Sequence, residues 1–269
     1  MPHTRVGDID LNYELVDFTE PWKAGPAPLV FLHGLGGDHT MWQYQVPVFC
    51  AHFPTITIDL RGHGESTRLD RDFGIADMAL DVVRLLRTLG VERAHLVGLS
   101  LGGMVVQQFA LDYPLATASL VLADTLCGTP SGFDGVMRDA LRFIEENTMA
   151  TVAQARITNA FSAAVDPVMR DYMIDRVAHN DKTAYVRAAR SAFGFSICDR
   201  LAEIAVPTLV VVGEEDRVTP PLLSEEIAAR IPGARLARIA GAGHISNIEK
   251  PAEFNRVVHN FLDSVESRG

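Results

Sequence analysis

Short, almost uninterrupted apolar runs recur along the chain: Pro28-Leu29-Val30-Phe31-Leu32, Thr55-Ile56-Thr57-Ile58, His95-Leu96-Val97, Ser119-Leu120-Val121-Leu122 and Thr208-Leu209-Val210-Val211-Val212. Runs this short, rich in β-branched residues and lacking a polar face, predict strands covered on both sides. Arg235 to Ile239 continues the series, and Val6 to Val16 alternates in the manner of a half-buried antiparallel strand. Between these runs the period changes. From Ile75 to Leu89 the apolar residues Met78, Val82, Leu85, Leu86 and Leu89 recur three and four apart until Gly90, which predicts an amphipathic helix with a glycine stop. Met104 to Tyr113, Leu222 to Ile231 and Ala252 to Val265 behave alike. Strand and helix in alternation predict an α/β protein with a mostly parallel sheet and helices on both faces.

One stretch breaks the rhythm. From Leu126 to Arg200 the pattern is helical throughout, with scattered aromatics and methionines; Gly128, Pro130, Gly132 and Gly135 mark its start and Val206-Pro207 the return to strands. The expected organisation is therefore a core of residues 1–125 and 201–269 with a helical insertion at 126–200. At 269 residues the chain fits one large domain or one domain with an insertion. Its 48% hydrophobic and 22% charged residues exclude a disordered chain.

The net charge of −10 repels phosphate backbones and anionic lipid headgroups, so neither nucleic acid nor membrane is an expected partner. The insertion carries nine basic and nine acidic residues, so the excess negative charge belongs to the core. Cys50, Cys127 and Cys198 are odd in number, widely spaced and without a Cys-x-x-Cys pair, too sparse for a disulfide framework or a zinc site. A reducing compartment fits such usage. No apolar segment follows the first basic residues and no apolar run approaches the ~20 residues that span a bilayer, so a cytoplasmic protein is expected.

Chemistry concentrates at Gly98-Leu99-Ser100-Leu101-Gly102-Gly103, a Gly-x-Ser-x-Gly motif directly after a strand and directly before a helix. A serine on so sharp a turn sits in a strained conformation, and the flanking glycines let the turn close. Its hydroxyl then stands at a helix N-terminus, which favours developing negative charge. The blander alternative is a glycine-rich packing turn with an incidental serine. A serine hydroxyl is a weak nucleophile, so a histidine base and an orienting carboxylate are needed elsewhere. Gly213-Glu214-Glu215-Asp216 follows one predicted strand and Gly241-Ala242-Gly243-His244 follows the last, both on loops where parallel sheets place their sites. Asp124, after the strand ending at Ala123, and the neighbours Glu214 and Glu215 compete for the acid role.

With these residues the chain resembles the α/β-hydrolases over nearly its whole length. His33-Gly34-Leu35-Gly36-Gly37 is similar to that family's oxyanion loop, and Asp59-Leu60-Arg61-Gly62-His63-Gly64-Glu65-Ser66 to its next turn. Gly98 to Gly103 matches its nucleophile elbow, with the acid and histidine loops following in the family's order. The resemblance implies Ser100 as nucleophile, Asp216 as acid through the usual Gly-x-x-Asp spacing, His244 as base, and the N–H groups of Leu35 and Leu101 as oxyanion donors. It assigns His33 and His63 to scaffolding, and implies neither cofactor nor metal.

A serine at position 100 speaks against the aspartate-nucleophile dehalogenase and epoxide hydrolase branches and against the cysteine-dependent dienelactone hydrolases. Leu99 and Ile245 stand where the carbon–carbon hydrolases of meta-cleavage pathways commonly carry Asn and Trp. Gly-Leu-Ser-Leu-Gly-Gly and Gly-His-Ile-Ser-Asn-Ile-Glu are more similar to 3-oxoadipate enol-lactonases and small carboxylesterases. The expected activity is cleavage of a small carboxylic ester or lactone through an acyl-enzyme. The enol-lactonase reaction specifically, a carbon–carbon hydrolase and a non-catalytic small-molecule receptor are the alternatives. The insertion should cap Ser100, with Phe133, Met137, Phe143, Phe161, Met173, Phe193 and Phe195 as candidate lining and about a third of them reaching substrate. Arg187 and Arg190 could meet a substrate carboxylate, but helix arginines are usually solvated and no insertion residue is assigned to the site.

Overall fold

The computed structural model describes residues 3–20, 22, 25–129 and 134–267. Eight strands form one sheet: β1 (His3–Val6), β2 (Ile9–Val16), β3 (Leu29–Leu32), β4 (Thr55–Ile58), β5 (Ala94–Leu99), β6 (Thr117–Ala123), β7 (Thr208–Gly213) and β8 (Arg235–Ile239). Their spatial order is β1-β2-β4-β3-β5-β6-β7-β8; the first two join antiparallel and the remaining six run parallel. Val6 to Val16 is therefore a hairpin rather than one strand. The chain turns at Gly7-Asp8, and Val6 pairs with Ile9.

The helices are α1 (Val46–Phe49), α2 (Ile75–Thr88), α3 (Leu101–Asp112), α4 (Asp134–Glu146), α5 (Met149–Ala160), α6 (Pro167–Ala178), α7 (Lys182–Phe193), α8 (Pro221–Arg230), α9 (Ser246–Glu249) and α10 (Pro251–Glu266). Successive strand residues point to opposite faces, and the two cores divide accordingly. Val30, Leu32, Leu96 and Leu120 pack with Met78, Val82 and Leu85 of α2 and with Val105 and Phe109 of α3. Leu29, Phe31, Val97 and Val121 pack on the other face with Trp42, Phe49 and the Phe254, Val258, Phe261 and Leu262 stripe of α10. This two-sided burial is why the strands carry no polar face.

Between β6 and β7 the chain forms α4 to α7. Thr148, Asp166 and Asp181 cap α5, α6 and α7 by accepting from the N–H groups of Thr151, Val168 and Ala184 at 3.2, 2.8 and 2.8 Å. Where this segment leaves and rejoins the sheet, Gly128 pairs with Ser196, and the Ile197 N–H donates to the Cys127 carbonyl at 2.8 Å. Here Cys127 and Cys198 form a disulfide across 71 residues, while Cys50 is free and buried. A set read as too sparse for a disulfide framework thus still yields one disulfide, and with it goes the argument from cysteine usage for a reducing compartment. Sequence spacing conceals the pair because the fold brings the two ends of the insertion together. Among the described residues no helix is long and apolar enough to cross a membrane.

Candidate active site

Ser100 joins β5 to α3 with φ 54° and ψ −113°, a backbone region that side chains other than glycine rarely adopt. The elbow is held from both sides. The Ser100 N–H donates to the Ala123 carbonyl at 2.9 Å, and Thr125 Oγ1 donates to the Ser100 carbonyl at 2.7 Å. A Cβ at Gly98 would lie 2.2 Å from the Gly102 carbonyl oxygen, and one at Gly102 would lie 2.1 Å from that of Leu32. The motif's glycines are thus spacing requirements of a turn pressed against its own helix and the neighbouring strand.

His244 Nε2 lies 2.9 Å from Ser100 Oγ, and its Nδ1 lies 2.8 Å from Asp216 Oδ2. Asp216 is fixed in turn: Oδ1 accepts from the Val218 and Thr219 N–H groups at 2.8 and 2.9 Å, and Oδ2 from Thr219 Oγ1 at 2.7 Å. The histidine backbone is anchored to the insertion, because the His244 N–H donates to the Ala160 carbonyl at 2.6 Å. Glu249 reinforces this junction by accepting from the Gly243 N–H at 2.8 Å and from both the N–H and the hydroxyl of Ser162. Burial opposes charging of the His244 ring, but the attraction of Asp216 and its hydrogen bond outweigh it and hold the pKa above 6.5. Burial likewise opposes ionisation of Asp216, and the His244 charge and the bonds just described overcome it, lowering its pKa below the usual carboxylate value.

The rival acids stand elsewhere. Asp124, at φ 45°, accepts from the Gly213 N–H at 2.8 Å and from Ser246 Oγ at 2.6 Å, with no hydrogen bond to His244 among the described residues. Complete burial and the Asp216 charge push its pKa up to about 7. Glu214 and Glu215 are exposed. His33 donates from Nδ1 to the Gly34 carbonyl at 2.8 Å and accepts the Leu60 N–H on Nε2 at 3.0 Å, so it staples the loop beside Ser100 to the turn after β4. His63 packs edge-on against it and bonds the Arg61 carbonyl at 3.1 Å. Buried Asp59 holds that turn by accepting from Asn12 Nδ2, His39 and the Glu65 N–H.

Gly34, Leu35, Ser100 and His244 line a cavity whose opposite wall comes from the insertion: Arg156, Ile157, Ala160, Met173, Val177 and Tyr185. Among the described residues the Leu35 and Leu101 N–H groups donate to no backbone carbonyl. Of the six aromatic and methionine candidates among the described residues only Met173 reaches this cavity. Phe161 and Phe195 are core residues, Phe143 is 38% exposed, and Phe133 lies outside the described residues. Arg187 and Arg190 turn away, to the Leu69 and Asp70 carbonyls and to Glu145. Sequence reading misses Arg156, Tyr185, Thr219 and the Glu249 clamp; of these, only Glu249 falls inside a quoted motif. Two clusters of potential metal ligands, Cys127/Cys198/Glu226 and Asp38/His39/Asp59, are already engaged, the first by the disulfide and the second by the bonds to Asp59, Thr40 and Arg176.

A mostly parallel sheet with a strained serine after β5, and an aspartate and a histidine on the loops after β7 and β8, defines an α/β hydrolase. A family model for the alpha/beta hydrolase fold matches residues 27–251. The chain belongs to that family and is a hydrolase. It is 34% identical to a putative carbamate hydrolase RutD of Variovorax paradoxus over 256 residues, 91% of this chain and 96% of the relative. It is 28% identical to 3-oxoadipate enol-lactonase 1 of Acinetobacter baylyi, over 88% and 89% of the two chains. Among solved structures the enol-lactonase from Burkholderia xenovorans LB400 is similar with a TM-score of 0.90 and 30% identity, covering 97% of this chain and all of that one.

Proposed function

We propose that the protein is a serine hydrolase cleaving a small carboxylic ester or lactone through an acyl-enzyme, with Ser100 as nucleophile, His244 as base and Asp216 as orienting acid. The observation that carries this reading is the continuous chain from Asp216 Oδ2 through both nitrogens of His244 to Ser100 Oγ, with 2.8 and 2.9 Å steps, ending on a strained elbow at the cavity wall. Ser100 Oγ attacks the carbonyl carbon as its proton passes to His244 Nε2. The carbonyl oxygen becomes an oxyanion that accepts from the Leu35 and Leu101 N–H groups. When the carbonyl re-forms, the bond to the leaving oxygen breaks and that oxygen takes the proton from His244. A water then surrenders a proton to the same nitrogen and attacks the acyl group, and Ser100 recovers its proton as the acid departs. Asp216 keeps Nδ1 protonated throughout, so that Nε2 is always the accepting nitrogen. The insertion acts as the cap over this chemistry. The name enol-lactonase, carried by two of the relatives, supports a cyclic or simple ester as the substrate.

A fluorophosphonate probe and an activated aryl ester test the reading. Labelling at Ser100, burst release of the aryl alcohol, and loss of both in Ser100→Ala with unchanged circular dichroism are expected. An unlabelled wild-type protein without esterase turnover would overturn the serine-esterase reading. Turnover above a few per cent in Ser100→Ala would remove the serine from the mechanism.

A further inference from the structure

Arg156 lines the cavity and differs in its bonding from three other arginines of the insertion. Arg176 is bonded to Asp38 and Thr40, Arg187 to two backbone carbonyls and Arg190 to Glu145. Arg156, on the face of α5 that also presents Ile157 and Ala160 to the cavity, is only partly exposed, yet among the described residues it has neither ion pair nor hydrogen bond. Among the described residues no aspartate or glutamate lines the cavity with it. Tyr185 reaches the same cavity from α7; it is 1% exposed and its hydroxyl has no hydrogen-bond partner. A buried hydroxyl left unbonded carries an unrecovered desolvation cost, and the guanidinium lining the same cavity spends none of its donors on protein among the described residues. Two such groups on one wall point to a ligand group that satisfies both.

We propose that Arg156 and Tyr185 form a subsite for a carboxylate that the substrate carries away from its scissile carbonyl, so that the enzyme prefers anionic half-esters or carboxylate-bearing lactones to neutral ones. The inference rests on the serine-hydrolase reading above. A guanidinium presents paired N–H donors that match a carboxylate's two oxygens, and the tyrosine hydroxyl supplies a further donor. A local cation is also what an anionic substrate needs on a chain of net charge −10. Arg156, Tyr185, Ser100 and His244 all line the one cavity, so a substrate held at the subsite shares that space with the proposed nucleophile.

The test compares kcat/KM for monoethyl adipate with that for diethyl adipate in wild type, Arg156→Gln, Arg156→Lys and Tyr185→Phe. The expected anionic-to-neutral ratio falls about tenfold or more in Arg156→Gln, the scale of a charge-assisted hydrogen bond, and the fall lies in KM. Arg156→Lys, which keeps the charge and loses the fork, should recover part of it, and Tyr185→Phe should lower the ratio by a smaller factor. A ratio that stays put in all three variants, including one in which both esters slow equally, overturns the subsite. Wild-type protein that hydrolyses neither ester nor an activated aryl ester overturns the underlying hydrolase reading instead. Should Arg156→Gln fail to fold, Arg156→Lys and Tyr185→Phe carry the same comparison.

Discussion

Replacing Asp216 with asparagine preserves shape and reverses one hydrogen bond. Oδ1 accepts from the Val218 and Thr219 N–H groups at 2.8 and 2.9 Å, and those groups can only donate. The asparagine oxygen must therefore occupy that position, which places its NH2 where Oδ2 stood, 2.8 Å from His244 Nδ1. Facing a donor, the ring gives up its Nδ1 proton and holds one on Nε2, aimed at Ser100 Oγ, so it can no longer accept the serine proton. Flipping the amide would rescue the tautomer but turn an NH2 against two buried N–H groups, at about 1–3 kcal/mol each. The wrong tautomer should thus prevail. The expected loss is on the order of 10⁴ in kcat, or about 5.5 kcal/mol, the scale seen when the equivalent change is made in a serine protease triad. The pH profile should move as well. The base must be neutral, so wild-type kcat/KM rises with pH through an ionisation above 6.5, where Asp216 holds His244. Without that carboxylate, burial and the Arg156 charge outweigh the weaker pull of Asp124, and the limb should drop below the ordinary value. Profiles for an activated aryl ester from about pH 5 to about 9, spanning the histidine range, with circular dichroism as the folding control, decide the matter. A loss under tenfold, or a limb that stays where it was, would refute the reasoning.

Asp124→Asn should be mild for catalysis, within about tenfold, because an amide reproduces the protonated carboxyl that accepts from Gly213 and meets Ser246. Its effect belongs to stability. With a folded pKa of about 7 against 3.8, the native state binds the extra proton, so stability from this group is complete at low pH and lost as pH rises from about 4 to about 7. The variant should therefore gain on wild type over that window by up to about 4 kcal/mol; denaturant midpoints that shift in parallel would contradict this. The Cys127–Cys198 link closes a long loop, worth about 4 kcal/mol in the chain-entropy account, or about 7 °C in Tm for a chain of this size. Scanning calorimetry of the Cys127→Ser/Cys198→Ser double variant against oxidised wild type should show that drop, and coincident transitions would mean the link constrains nothing.

Both the sheet and the grouping of the candidate residues Ser100, Asp216 and His244 were legible because each leaves a local signature. A strand covered on two faces has nowhere to put a polar residue, and an elbow pressed against its own helix must have glycine at 98 and 102. The β1–β2 hairpin left a mark that the alternation obscured: at Gly7-Asp8 the period slips by one residue, so that Val6 and Ile9, three apart, are both buried as paired neighbours. The cap's function was not legible. Helical periodicity tells which side of α5 or α7 is covered but not by what, so Phe161 and Phe195 read like pocket residues while filling the two cores. For the same reason Arg187 and Arg190 could not be told from Arg156: all lie on helices, and only the fold shows which of them has spent its hydrogen bonds.

The junction of Ala160, Ser162, Gly243, His244 and Glu249 bears on how such a protein can be rebuilt. Caps invite exchange, since the chain enters and leaves them at one place beside Cys127 and Cys198. Yet the Ala160 carbonyl receives the His244 N–H, and Ser162 shares Glu249 with Gly243. A transplanted cap lacking the Ala160-Phe161-Ser162 turn would strip the histidine loop of its support, even with every residue of the core retained. The module that can be swapped without loss is therefore not the whole insertion. It is the remainder once the end of α5 has been left with the host.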